Sequence, residues 1–208
     1  MNKALWILSL ATLPLTAQSW EVGAFLGQQT YDKSTWRDSG SGMDIEAKPD
    51  TKIVGALRVG YGLVDIGPAL FQFSAAYQPK VSTDVKFSAP GVSGLGIGLN
   101  LDHQASSLGV ALIFRAGVSA SLGVDYRWDK LEGTFRGLSS TTTYGRPWAR
   151  ANVGFAIPTP IAKPFLGLEV AAPLANKSVN ALGPTTDEEA LKGLAPKLQV
   201  GLYGGIRF

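Results

Sequence analysis

Eight separate segments of the sequence alternate between apolar residues and polar or small residues, and this pattern constrains the fold more than any other feature. The segments are 20–28, 52–61, 69–78, 108–115, 119–128, 146–157, 165–172 and 196–208. Successive side chains of a β-strand point to opposite faces, so each segment would present one apolar face and one more polar face. The pattern therefore predicts eight strands in an all-β fold.

The connections between these segments alternate in length. Those after the first, third, fifth and seventh segments are long, and those after the second, fourth and sixth are short. A transmembrane β-barrel has short turns on one side of the membrane and long loops on the other, whereas a soluble sandwich has no such asymmetry. We therefore predict an eight-stranded antiparallel up-and-down transmembrane β-barrel. A ten-stranded barrel is an alternative, because residues 81–101 could supply an extra hairpin.

The charged residues of the segments lie opposite the apolar faces. An eight-stranded barrel has an interior just wide enough to be filled by side chains, and charges buried there need partners. Bases outnumber acids on this face, so we expect water, loop carboxylates or backbone carbonyls to balance the excess. The predicted lumen charge network consists of Glu21, Lys52, Arg58, Arg115, Asp125, Arg127, Arg150, Glu169 and Arg207.

Aromatic residues occur on the apolar faces near the ends of the segments. Transmembrane barrels carry aromatic girdles at the two levels where the membrane meets water. The predicted girdle consists of Trp20, Phe71, Tyr77, Tyr126, Trp128 and Phe155.

The N-terminus has the features of an export signal. Lys3 precedes an apolar run over 4–15, and the small residues Ala17 and Ser19 follow it. The run is shorter than the roughly 20 residues of a spanning helix, and Pro14 interrupts it. We predict a signal peptide over 1–19, cleaved near residue 19, and one barrel domain over 20–208. An exported chain without a spanning helix can cross a membrane as a closed barrel, which predicts the bacterial outer membrane as its location.

The composition argues against several classes of function. The sequence has no cysteine and one histidine, so a thiolate or histidine-rich metal site is not expected, and we predict neither a metal nor another cofactor. The net charge of +3 is modest and the basic residues are scattered. Nucleic-acid binding would require a basic stripe or a recognisable motif, so we predict no nucleic-acid partner.

The signal peptide, the alternating segments and the terminal aromatic together resemble the small outer-membrane barrels of Gram-negative bacteria, the class of the OmpA transmembrane domain, OmpX and OmpW. The resemblance covers the whole mature chain. It implies that the last strand carries the signal read by the barrel-assembly machinery, and it implies outer-membrane lipid and lipopolysaccharide as surroundings. The residues that match this assembly signal are Leu198, Val200, Leu202, Ile206 and Phe208.

The first functional hypothesis is a barrel with a filled lumen that has a structural or surface-binding role and is not an enzyme. An alternative is a channel for small hydrophobic solutes, lined by Phe25, Leu70, Ile113, Trp148 and Phe165. A less favoured alternative is a lipid A-modifying enzyme that uses the single histidine, His103, with Ser106 or Ser107. Position 105 is alanine, which departs from the His-x-Ser pattern of barrel deacylases. We expect His103 to be a solvated loop residue, and we predict no catalytic residue. The sequence does not indicate the oligomeric state.

Overall fold

A computed structural model describes residues 19–37, 44–89, 92–93, 99–116, 118–135, 138–157, 159, 161–175 and 187–208. The secondary-structure elements in these ranges are β1 (Trp20–Tyr31), β2 (Ser34–Arg37), β3 (Asp44–Pro49), β4 (Lys52–Ile66), β5 (Ala69–Ala89), β6 (Val92–Ser93), β7 (Leu99–Ala116), β8 (Val118–Phe135), β9 (Leu138–Ala156), β10 (Lys163–Pro173), α1 (Asp187–Gly193) and β11 (Pro196–Arg207). The described part of the chain contains no helix with the length and apolarity needed to cross a bilayer. The predicted signal peptide falls almost entirely outside the described residues and stays a prediction.

Eight of the strands close into an antiparallel barrel. The cyclic order is β1, β4, β5, β7, β8, β9, β10 and β11, and β11 pairs with β1 to complete the ring. The predicted eight-stranded barrel is therefore confirmed. The ten-stranded alternative is wrong, because 81–89 and 99–101 lengthen β5 and β7 instead of forming a separate pair of barrel strands.

The two ends of the barrel differ. At the terminal end, the backbone N–H of Phe208 donates to the carbonyl of Trp20 at 2.9 Å. The tight turn between β4 and β5 lies at this same end, and Gly67 occupies it with a φ of 61°, a conformation that glycine adopts without a steric penalty. At the other end, which we call the extended end, β5, β7, β8 and β9 run well beyond the neighbouring strands.

The outer surface of the barrel is apolar over a continuous band. Exposed side chains in this band include Leu57, Leu122 and Leu168, which have relative exposures of 63%, 66% and 61%. A water-soluble protein would bury side chains of this size, whereas a lipid bilayer accommodates them. The band is therefore the lipid-facing surface that the alternating pattern predicts.

The long connections contain strands as well as loops, contrary to the prediction. The segment after β1 includes β2 and β3, which pair with each other and extend the sheet beside β5. The segment over 130–143 is largely the hairpin of β8 and β9. The outward-facing residues of these extensions are polar because they lie beyond the apolar band. Their polarity made them look like loops.

The interior of the extended end has its own apolar cluster, which we call the cap. Its buried members are Tyr31, Ala47, Val85, Leu101, Leu131, Leu191, Leu194 and Ala195. Leu191 comes from α1, so this short helix packs inward over the barrel. The cap therefore covers the lumen from this end.

Candidate functional site: the polar lumen

The lumen begins at the terminal end with an ion pair across the junction of β1 and β11. The guanidinium of Arg207 donates from Nε to Glu21 Oε2 at 2.6 Å, and the hydroxyl of Tyr203 donates to Glu21 Oε1 at 2.6 Å. Arg207 also stacks on the ring of Phe165, with its Cζ 4.3 Å from the ring centroid. The first and last strands of the barrel are therefore linked by side chains as well as by backbone hydrogen bonds.

The middle of the lumen contains two further buried ion pairs. Arg58 donates to both oxygens of Glu169, at 2.6 and 2.8 Å. Arg150 donates to both oxygens of Asp125, at 2.9 and 3.1 Å. Paired, two-point contacts of this kind are the geometry in which a guanidinium best compensates the loss of hydration of a carboxylate.

A third level, which we call the histidine layer, lies beneath the cap. Asp129 accepts from Arg127 Nε at 2.8 Å and contacts His103 Nε2 at 2.8 Å. Three glutamine side chains complete the layer with further hydrogen bonds to His103, Arg127 and each other; they are Gln29, Gln78 and Gln199. The layer connects β1, β5, β7, β8 and β11 across the lumen.

The lumen has a small surplus of positive charge among the described residues. Four carboxylates are buried in it, those of Glu21, Asp125, Asp129 and Glu169, against five guanidinium groups. The fifth guanidinium is that of Arg146, which donates to the backbone carbonyl of Pro196 and lies 3.7 Å from Asp129 Oδ2. Trp148 lies between two of the cations, with Arg127 and Arg146 at 4.6 and 5.0 Å from its ring centroid.

One cavity remains between the middle ion pairs and the histidine layer. Its volume is about 40 Å³, and its lining includes Arg58, Gln78, Arg127, Arg150 and Gln199. A water molecule needs at least about 10–15 Å³ of such space, so the cavity has room for only a few waters. Side chains therefore fill most of the lumen.

The structure places the nine predicted lumen charges on the inner side of the strands. Seven of them are buried, and Lys52 and Arg115 are half-buried near the two ends of the barrel. Arg115 Nη2 lies 3.9 Å from Asp65 Oδ1. Asp129 was not among the predicted charges, although it lies two residues after Arg127 on the same face of β8. The predicted strand ended at Trp128, and continuing its alternation would have included Asp129.

The predicted girdle residues all lie on the outer surface, with relative exposures of 38% or more. Tyr77, Tyr126 and Trp128 lie toward the extended end, and Trp20, Phe71 and Phe155 lie toward the terminal end. Of the residues matching the assembly signal, Val200, Leu202, Ile206 and Phe208 are exposed on the outer face of β11 and Leu198 is half-buried. Their roles as a girdle and as an assembly signal stay predictions.

The expectation that His103 is a solvated loop residue was wrong. His103 lies within β7 and has a relative exposure of 0%. The alternation places it inside because Asp102 and Gln104 face outward. Ser106 also faces outward, and both nitrogens of His103 are bonded to Asp129 and the two glutamines, so the histidine does not activate this serine.

The residues proposed to line a hydrophobic channel are used in packing. Phe25 and Phe165 pack with Val54 and Tyr203, while Leu70 and Ile113 form a separate cluster with Ala111. The fifth and largest of these side chains, Trp148, lies between Arg127 and Arg146 as described above. These contacts do not favour the channel hypothesis.

The outer face of the extended end carries exposed ion pairs. Lys80 donates to Asp102 at 2.8 Å and to Glu132 at 3.1 Å, and these hydrogen bonds raise the pKa of Lys80. The bond from Lys80, followed by one from Ser82, holds the pKa of Asp102 below its ordinary value. Within the described ranges, no group of three or more histidine, cysteine or acidic side chains is placed to hold a metal ion.

Comparison with known proteins gives likenesses of fold only. No protein-family model matches the sequence, and no curated protein matches it. The fold is similar to that of Ail, the attachment invasion locus protein of Yersinia pestis, with 14% identity over 93% of this chain and 100% of that chain and a TM-score of 0.43. It is similar to the outer-membrane protease OmpT from Escherichia coli, with 10% identity over 95% of this chain and 98% of that chain and a TM-score of 0.44. It is also similar to the translocator domain of the autotransporter NalP from Neisseria meningitidis, with 13% identity over 99% and 91% of the two chains and a TM-score of 0.37.

The predicted fold, a small antiparallel β-barrel like those of Gram-negative outer-membrane proteins, is confirmed by the closed ring of eight strands. The prediction that the chain is not an enzyme is corrected. It rested on a solvated loop histidine and on the absence of the His-x-Ser pattern, but the histidine is buried within β7 and bonded to Asp129. The barrel architecture therefore gives no ground for excluding catalysis.

Proposed function

We propose that this protein is an integral outer-membrane barrel that is sealed at neutral pH and anchors a packed β-sheet module on the outer side of the membrane, where that module serves as a binding surface. The observation that carries the proposal is the succession of buried ion pairs and the apolar cap along the lumen. A barrel built to conduct solute would not fill its interior in this way.

The extended end supports the second half of the proposal. Above Tyr77 and Trp128 the outward side chains of β5, β7 and β8 change from apolar to charged or hydroxyl-bearing, as they do at Lys80, Asp102 and Glu132. A surface of this polarity belongs in water. The cap gives the extension its own buried apolar cluster, so the strands stay ordered without lipid around them.

Planar-bilayer recording tests the seal. Purified barrel reconstituted at neutral pH should show no stable open level, because the lumen cavity between the middle ion pairs and the histidine layer has only about 40 Å³ of space. Steady ohmic conductance of the folded, heat-modifiable species at this pH would refute the sealed lumen.

Lysine labelling on intact cells tests the location and orientation. An amine reagent that does not cross membranes should modify Lys86, whose side chain has a relative exposure of 75% at the extended end. Lys163 is also exposed but lies at the terminal end, opposite Arg207, so it should react only after the outer membrane is disrupted. Labelling of Lys163 but not Lys86 on intact cells would reverse the proposed orientation, and labelling of neither after disruption would indicate a different location.

A further inference from the structure

The histidine layer contains the single histidine of the sequence, and its side chain is fully buried. The amide nitrogens of Gln29 and Gln78 lie 2.9 and 3.1 Å from His103 Nδ1. Amide nitrogens can only donate, so Nδ1 is the acceptor. The proton of the ring is then on Nε2, which donates to Asp129 Oδ1 at 2.8 Å.

The orientation of both glutamine amides is fixed from the other side. Arg127 Nη2 and Gln199 Nε2 donate to Gln29 Oε1 at 3.2 and 2.6 Å. The same two groups donate to Gln78 Oε1 at 3.1 and 2.8 Å. Turning either amide over would place its nitrogen against these donors. The layer therefore has one hydrogen-bonded arrangement, and in it Nδ1 must stay unprotonated.

A second proton on His103 conflicts with this arrangement. It would have to reside on Nδ1, where it would face two amide donors, and each unsatisfied buried donor costs about 1–3 kcal/mol. The charged groups that act on the ring are Asp129 and Arg127 on β8 and Arg146 on β9. The remaining neighbours are uncharged: the ring of Tyr31 on β1 and the glutamine amides of β1, β5 and β11. Asp129 would attract the imidazolium, but it already contacts both guanidinium groups, which repel it.

The histidine layer is joined to the cap. Gln29 Nε2 donates to the hydroxyl of Tyr31 at 2.7 Å, and the ring of Tyr31 meets the ring of His103 edge-on at 6.0 Å. Tyr31 is itself a member of the cap, beside Leu191 and Leu194. Rotation of the Gln29 amide away from a protonated ring therefore breaks a bond that holds the cap in place.

From this geometry we propose that the histidine layer is an acid-sensitive latch: protonation of His103 parts Gln29 and Gln78, releases Tyr31, and loosens the cap with α1 at the extended end. This regulation goes beyond the proposed surface role. It predicts that the outer side of the lumen is closed at neutral pH and that the closed state loses stability as the pH falls below about 6.5, because only the loosened layer leaves His103 free to take up the second proton.

Thiol accessibility tests the latch, because the sequence has no cysteine and an introduced one is unique. Leu194→Cys places a thiol in the cap at a position with a relative exposure of 3%. Thr141→Cys places one on the exposed outer face of β9 and corrects for the pH dependence of the reagent. The ratio of the two labelling rates should be constant above pH 7 and rise up to about tenfold per pH unit below the transition, as expected for one linked proton.

The same ratio measured in a His103→Gln background should not change between pH 8 and pH 5. The latch would be overturned if the labelling ratio did not change with pH in the protein that keeps His103. It would also be overturned if the ratio rose equally in the His103→Gln background. If His103→Gln does not give the heat-modifiable folded species, NMR of the unmodified protein decides, since its one imidazole gives one set of signals. Titration of that imidazole with no accompanying change in the amide signals of 191–195 would also overturn the proposal. Neither result depends on whether the extension binds a partner.

Discussion

Removal of one member of the Arg58–Glu169 pair should be among the most destabilising polar substitutions in the barrel. Arg58 donates two hydrogen bonds to Glu169, with lengths of 2.6 and 2.8 Å. The side chains of Arg58 and Glu169 have relative exposures of 10% and 3%. At an effective dielectric constant of about 20, unit charges about 4 Å apart attract by about 4 kcal/mol. Glu169→Gln keeps the shape but leaves Arg58 without its counter-charge, and a broken buried pair costs about 3–5 kcal/mol.

Urea unfolding in detergent micelles, followed by tryptophan fluorescence, measures this loss as a fall in the midpoint at constant slope. Adding Arg58→Met to Glu169→Gln should recover part of the loss, because the uncompensated charge is removed, and the cycle should give a coupling energy of up to about 3 kcal/mol. Lys33→Gln is the matched control, since the exposed Lys33–Glu46 pair at 2.9 Å should contribute less than about 1 kcal/mol. A loss below 1 kcal/mol for Glu169→Gln, equal to that of the control, would refute the argument.

Three further substitutions test other parts of the structure. Gly27→Ala should lower the free energy of unfolding by about 1–3 kcal/mol, measured in the same urea assay, because an added Cβ would lie 2.4 Å from the backbone oxygen of Val200 across the closing strand pair. Leu191→Ala should cost about 2–5 kcal/mol within the cap, which hydrogen exchange of 191–195 would detect as lost protection while the barrel strands stay protected. Lys80→Gln should leave the urea midpoint unchanged, because the pair is exposed to solvent, and NMR titration of Asp102 should show the pKa of its carboxyl rising toward the ordinary value.

The barrel could be predicted from the sequence because every strand that crosses a lipid bilayer must have apolar side chains on the face that contacts lipid. Outward residues such as Leu57, Leu122 and Leu168 had to be apolar, and every backbone group had to be paired within the sheet. The charges could then only lie inside, and the seven buried members of the predicted set do so. The partners of those charges could not be predicted, because pairing across a lumen depends on strand tilt and register rather than on spacing in the chain.

The contacts of the histidine layer could not be predicted for the same reason. Arg127 was predicted to face inward, but the three glutamines that surround it come from β1, β5 and β11, far apart in the sequence. Glutamine is common on solvent-facing strand positions, so Gln29, Gln78 and Gln199 carried no separate signal. Asp129 and His103 did carry one, since both continue the inward alternation of their strands beyond the predicted ends.

The extended end was misread because the solvent changes partway along the strands. Between the terminal end and Tyr77, the outward side chains of β5 face lipid, so the apolar residues lie on the outside of the sheet. Between Tyr77 and the extended end, the outward side chains face water, as at Lys80 and Lys86, and the apolar residues, among them Val85, lie on the inside. The face that is apolar is therefore exchanged within one continuous strand, so a search for a single apolar face ends each strand at the girdle. In β7 the apolar positions change from even numbers, as at Leu108 and Val110, to odd numbers, as at Leu99 and Leu101, and this change of phase is the signal of a barrel strand that continues into water. In β5 the irregularity between Gln78 and Val81 moves the inner face from even to odd positions, so its apolar residues keep their phase and give no such signal.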